Sequence, residues 1–164
     1  MMSKEIEFCL TETKKHIRRV NHFLCEFMDK LLTRGIHHDK SKLEDPELPY
    51  FVEYTPKLKG VTYRSDLYNE YMAELKVALD HHYAENDHHP EHTHGKKTVN
   101  GVENIGFSGM SLLSMTELLA DWRSATERHD DGDILRSIDV NQERYGYSDE
   151  VKSILLNTVK EMGW

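Results

Sequence analysis

The chain has no apolar run near the roughly 20 residues that a membrane span needs. Its opening, MMSKEIEFCL, turns polar again at once instead of extending into a signal-like apolar core. These absences point to a cytoplasmic protein without a membrane partner. Cysteine is scarce: Cys9 and Cys25 are the two, and on one predicted helix they would stand about 24 Å apart at the helical rise. They cannot bridge each other there, and with no CxxC pair they offer no thiolate metal site, so a reducing compartment is the natural reading. Basic residues are in deficit, 21 against 29 acidic ones, for a formal net charge of −8. Duplex binding rests on phosphate neutralisation, so a broad nucleic-acid face is excluded, while a small anion held by a few local cations is not. Strand-period alternation of useful length is missing too, and no internal repeat is found.

What is abundant is histidine. Six of the chain's 11 histidines fall within DHHYAENDHHPEHTHG, residues 80–95. The stretch is internal and interrupted, unlike an affinity tag. Its composition points to metal, with a solvated loop or singly buried histidines as the bland alternatives.

Length suits one domain over 1–164 with a real core. Helical periodicity runs over 3–33, through Ile6, Cys9, Leu10, Thr13, Ile17, Val20, Leu24, Phe27, Met28 and Leu31, and Gly35 is read as its close. HHDKSKLEDPELPYF mixes a short helical turn with proline punctuation, and TPKLKGVTYRSD reads as loop. Ser65 or Asp66 caps a helix to about Tyr83 whose inward side carries Leu67, Tyr71, Leu75, Ala78, Leu79 and His82. Residues 84–109 read as a His-, Gly- and Asn-rich loop with room for a short hairpin. SLLSMTELLADWRSATERH forms a fourth helix, about 133–145 a fifth, and SDEVKSILLNTVKEM a sixth that ends at Gly163. The expected fold is all-α, a single compact bundle of about six helices with a long His-rich loop. The amphipathic last helix, with Trp164 at its end, leaves a homo-oligomer open.

Chemistry concentrates first at His38-Asp39 in HHDKSK. An imidazole and a carboxylate side by side can share one divalent ion or bridge two. Lys42, three residues later, returns to the same face after one turn and puts a cation beside that site. Along the chain the order is His on the first helix, His-Asp, middle histidines, then Asp on a later helix. This order resembles the HD superfamily of metal-dependent phosphohydrolases, whose helical domains carry H…HD…D, extended in binuclear members to H…HD…H…H…D. Lys42 matches the lysine of the HDxGK form, with Ser41 in place of the glycine. More closely, HHDKSKLEDPE, YTPKLKGVTYRSD, ALDHHYAENDHHPEH and MTELLADW look like a family of uncharacterised, often phage-encoded proteins regarded as HD-like, over roughly residues 13–160.

The resemblance implies a ligand set of His16, His38, Asp39, His82, His89 and Asp121 for one or two divalent transition-metal ions: Mn, Fe, Co, Ni or Zn. His16 flanks the apolar stripe of the first helix, whereas His22 falls opposite it. His81 and His82 point about 100° apart on a helix, so one of them serves an ion, and His82 shares the apolar face. In HHPEH, His89 is preferred, with His88 and His92 as alternatives and Glu91 or His88 supporting from outside. Asp121 has a salt bridge to Arg123 or Arg128 as its bland reading. His37 and His81 are expected in a supporting or substrate-facing role. Asp39 and Lys42 would carry catalysis, and Lys57 and Arg64, with Arg18, Arg19 or Lys59, would help to hold phosphate oxygens. The activity implied is hydrolysis of a phosphoester in a nucleotide, whether mononucleotide, triphosphate, or cyclic or oligonucleotide signal. Two alternatives accompany it: a di-iron oxygenase of the same fold, and a non-catalytic metal- or nucleotide-binding protein, such as a phage decoy that sequesters a host signal.

Overall fold

Ser3 starts the first helix by accepting a hydrogen bond from the Ile6 amide, and Glu5 and Glu7 in the first turn suit the positive end of the helix dipole. This helix, α1, spans Lys4–His37. It does not stop at Gly35. That glycine lacks a positive φ and a Cβ on it would touch nothing, so it is an interior residue that costs about 1 kcal/mol relative to alanine without breaking the helix. The end comes at His38, where ψ swings to 127°.

The computed structural model describes residues 3–62, 65–93, 98–99, 102–103, 106–128 and 132–164. It divides into two compact units, Met1–His38 and Asp39–Trp164. The first unit is α1, and a lone helix cannot bury its own stripe: no residue of α1 is buried, and Ile17, Phe23, Leu24 and Met28 are all exposed.

The second unit opens with Asp39 in the left-handed region at φ 55°, followed by a 3-10 turn over Lys40–Leu43. Helix α2, Leu48–Leu58, takes in Thr55 and Pro56, which were expected in a loop. Pro56 has no amide to donate to the Val52 carbonyl and costs the helix one bond, while the Glu53–Lys57 pair and the Tyr54–Tyr71 ring contact support that turn. The helix expected over 66–83 is two, α3 at Asp66–Glu74 and α4 at Lys76–Glu85, meeting at Leu75. Backbone bonds pass through the junction, Leu75 N to Tyr71 O and Leu79 N to Leu75 O. A junction that keeps these bonds leaves the apolar spacing unchanged, so periodicity does not register it.

Residues 84–109 hold more than a loop. Pro90 is the first residue of a short helix, α5, Pro90–Thr93, a position that its fixed φ favours. Strands β1, Thr98–Val99, and β2, Val102–Glu103, pair antiparallel as a minimal hairpin. A 3-10 turn over Gly106–Gly109 follows. It presses on α5 because Gly109 has no side chain: a Cβ there would lie 2.5 Å from the Thr93 Cβ.

Helices α6, Leu112–Thr126, α7, Ile134–Tyr145, and α8, Asp149–Met162, complete the unit. The side chains of Ser111, Asp133 and Ser148 cap them, and Gly146 and Gly163, both at positive φ, close the last two. α6 stops short of the expected ERH extension. Phe107, Leu118, Leu119, Trp122, Ile134, Ile138, Tyr147, Leu155 and Val159 form the apolar core. Trp164 is exposed. The fold is all-α, with eight α-helices among the described residues where about six were expected. None of the described helices is long and apolar enough to cross a membrane.

Candidate metal centre

The left-handed turn at Asp39 aims its side chain. A non-glycine residue at φ 55° is uncommon, and Asp tolerates it better than most. The Asp39 carboxylate does not cap the 3-10 turn that it begins. Instead Oδ2 accepts a hydrogen bond from the Lys42 ammonium. Oδ1 faces His82 Nε2 at 3.2 Å and His88 Nε2 at 3.4 Å.

Each of these two imidazoles has a carboxylate behind it. His82, on the buried face of α4 with Ala78, sets Nδ1 3.0 Å from Glu47 Oε2. Ser41 Oγ and Asn86 Nδ2 lie 3.2 and 3.1 Å from the same nitrogen. Glu47, fully buried just before α2, turns Oε1 to His81 Nδ1 at 2.8 Å. His88 sets Nδ1 3.2 Å from Glu117 Oε1 on α6. Asn86 ties the segment together, donating to Ser41 Oγ and to the His82 carbonyl and accepting from the His89 amide. One turn before Glu117, Ser114 Oγ donates to Asp87 Oδ2 at 3.1 Å. Ser114, Glu117 and Asp121 repeat at three and four residues, so one face of α6 is turned to the His88 segment.

His89 closes the group, its Nε2 2.9 Å from His82 Nε2 and its ring centroid 4.1 Å from that of His88. Asp39, His82, His88 and His89 each offer one ligand atom, all within 4.8 Å of one another. His88 and Asp121 also offer atoms within that distance. Burial depresses the His89 imidazole to about 3, with the neighbouring His88 and His82 adding to the effect. His89 is therefore neutral at physiological pH, the form that ligates. Burial alone would raise the Asp39 carboxyl, but hydrogen bonds to His82 and His88 and the Lys42 charge hold it well below the usual carboxylate range. Asp39 is thus a carboxylate, also the ligating form.

The donor chemistry fits a metal ion. A carboxylate at Nδ1 keeps that nitrogen protonated and leaves the Nε2 lone pair of a neutral ring available. His82 and His88 both point Nε2 at the same Asp39 oxygen, so two imidazole nitrogens and a carboxylate oxygen converge on one point. Such a set needs protons or a cation between its members, and mixed imidazole and carboxylate ligands suit divalent transition metals.

Of the expected ligands, Asp39, His82 and His89 come together in one group, and Asp121 stands beside His88. His88, read as an alternative or support for His89, joins it in the same group. His38 is the half-buried residue one peptide bond before Asp39. His16 is exposed on α1, in the first unit. His37 bonds through Nδ1 to the Thr33 carbonyl within α1. His81 braces Glu47, and His92 Nδ1 donates to the Tyr83 carbonyl. Glu91 accepts from Arg144 and Tyr145. Lys57 pairs with Glu53 and lies over the Tyr54 ring, and Arg64 lies outside the described residues. Sequence reasoning missed Glu47, Asn86, Ser114 and Glu117. Glu117 had a signal, standing one turn before Asp121 on the same face. Glu47, in a proline-punctuated segment, had none.

Fold and site together define an all-α protein with a buried His/Asp cluster able to hold a metal ion. The chain belongs to a family described as "Family of unknown function (DUF5662)", whose model matches residues 5–161. No curated protein and no solved structure matches the chain.

Proposed function

We propose that this protein is a metal-dependent phosphohydrolase that acts on a nucleotide or nucleotide-derived phosphoester. The observation that carries the reading is the convergence of His82 Nε2 and His88 Nε2 on Asp39 Oδ1, with His89 alongside. These four residues would hold one ion. Asp121, beside His88, would serve a second. The H…HD…H…H…D order that the chain shares with HD phosphohydrolases supports this choice over other metal proteins. Charge supports it as well. Asp39, Glu47, Asp87, Glu117 and Asp121 bring five carboxylates to the cluster and its hydrogen-bonded shell, and Lys42 is the cation bonded to Asp39. Divalent ions would balance that excess and let the site accept an anion.

A bound divalent ion would supply a hydroxide near neutral pH and neutralise charge that develops on the phosphoryl group. Asp39 keeps one oxygen toward the imidazoles because Lys42 occupies the other, so the lysine orients the carboxylate and adds positive charge at the site. Lys42 also lies 5.3 Å from the centroid of the Phe51 ring, which confines its ammonium.

The test is elemental analysis of protein purified without a His tag, followed by phosphate and nucleoside release from a nucleotide panel. Wild type is expected to carry one to two equivalents of transition metal and to release product. Asp39→Ala is expected to lose both. Iron with oxygen uptake and no phosphate release would make the protein an oxygenase instead, and bound nucleotide recovered intact would make it a binding module. No metal under any loading condition would overturn the reading.

A further inference from the structure

The carboxylates behind the imidazoles have a distribution that a structural ion pair does not require. Glu47 is 0% exposed and uses both oxygens on adjacent histidines of α4, Oε1 on His81 and Oε2 on His82. Adjacent residues on a helix point about 100° apart, so one carboxylate between them fixes the rotation of both rings. His81 remains partly exposed, with 37% of its side chain accessible, while His82 at 1% turns its far nitrogen into the cluster. Glu117 repeats the arrangement from another helix, on His88. In both cases the carboxylate meets Nδ1 and the far nitrogen, Nε2, meets Asp39 Oδ1. Two elements distant in sequence thus impose the same ring orientation on two ligands that share one oxygen.

We infer that Glu47 and Glu117 are paired positioning residues that lock His82 and His88 into the Nδ1–H form, so that both ligate through Nε2, with Glu47 also deciding which member of the His81-His82 pair faces the ion. The inference rests on the metal-centre reading above and extends it to residues that touch no ion. Glutamine is the informative substitution at either position. It keeps the shape, but its amide has one oxygen in place of two, and its NH2 group competes to donate to Nδ1. Losing an outer carboxylate of this kind typically weakens metal binding about 10- to 100-fold.

The experiment measures Zn(II) affinity by competition with a chromophoric chelator for wild type, Glu47→Gln, Glu117→Gln and Asp39→Ala, with circular dichroism to report folding. Long-range 1H–15N correlation spectra of the zinc-loaded wild type report which nitrogen of each ring carries the proton. The expected result is Nδ1–H on His82 and His88 in the wild type and a loss of about 10- to 100-fold in affinity for each glutamine variant. Ligation through Nδ1 in the wild type would overturn the inference without any variant, so a Glu47→Gln protein that does not fold leaves it falsifiable. Wild-type affinity in folded Glu47→Gln and Glu117→Gln, with binding lost in Asp39→Ala, would overturn it while sparing the metal centre. A wild type that binds no zinc, manganese or iron would overturn both.

Discussion

Helix α6 separates two buried regions built on opposite physics. Leu118, Leu119 and Trp122 enter the apolar core, and Ser114, Glu117 and Asp121 line the other side toward the histidine segment. The core gains from the removal of apolar surface from water, about 25 cal/mol per Å², with no demand on direction. The polar side gains nothing from burial itself. Glu47, His82, His88 and Ser114 are all at most 2% exposed, and each would destabilise the fold without a partner. Their partners are arranged so that Nδ1 of His82 and of His88 faces outward to a carboxylate and Nε2 faces inward to Asp39. A protein that needed only stability would fill that space with leucine. The difference between the two sides of one helix therefore separates what holds the molecule together from a cluster able to hold a metal ion.

The largest effect that would break this comparison is expected on the apolar side. Leu118→Ala removes a side chain that is 2% exposed from the core and should lower unfolding free energy by about 2–5 kcal/mol, since the surrounding helices relax only partly. Urea titration of the metal-free protein measures it. At saturating metal and low temperature, the folded variant should keep the wild-type metal stoichiometry. If stoichiometry fell with stability, the two regions would be one cooperative structure with no division of labour at α6.

Acid should act on the polar side alone. His89 has a folded value of about 3 against an ordinary 6.5, so below pH 6.5 the unfolded chain binds a proton that the folded chain refuses. The stability that His89 contributes is whole above pH 6.5 and is lost as pH falls toward 3. One proton sets a slope of at most about 1.4 kcal/mol per pH unit. Asp39, also depressed, has an ordinary value of 3.8. Its contribution is present above that value and is lost only in stronger acid, so urea midpoints between pH 7.5 and 4.5 avoid that carboxyl, and the difference from His89→Gln reports the histidine. Metal-free wild type should weaken across that window, His89→Gln should weaken less steeply, and Leu118→Ala should run parallel to wild type. A wild-type curve flat from 7.5 to 4.5 would mean that His89 accepts its proton in the folded state.

The same division governs how much was legible in the sequence. Capping and spacing placed α7 and α8 almost to the residue, and α6 apart from its end, because Ser111, Asp133 and Ser148 mark their starts and the apolar residues repeat with the helical period. Asp39, His82 and His89 were accessible because ligating chemistry is confined to a few residue types, and only one member of the His81-His82 pair shares a face with Ala78. The partners behind the ligands were not accessible. A glutamate used as an outer acceptor is indistinguishable in sequence from a solvated one, and Glu47 reaches His82 from 35 positions away. The break at Leu75, the helical state of Pro90 and the run of α1 through Gly35 are local choices. Tertiary packing decides them, and propensity is only a weak guide.

The smallest predicted effect sharpens the comparison most, because it sets one hydroxyl against another. Tyr147 donates its hydroxyl to the Ile138 carbonyl inside the apolar core, and Ser114 donates its own to Asp87 beside His88. Tyr147→Phe and Ser114→Ala should each cost about 0.5–1.5 kcal/mol in urea unfolding, the net worth of one buried hydrogen bond. Their effects on metal should differ. Tyr147→Phe leaves a carbonyl that belongs to helix α7 and no ligand to move, so metal affinity should match wild type. Ser114→Ala releases Asp87, the residue before His88, and should weaken metal binding severalfold at nearly the same stability. Equal metal affinities in the two variants would show that the α6 face supports the fold alone, and that His88 is held in place by Glu117 without help from its neighbour.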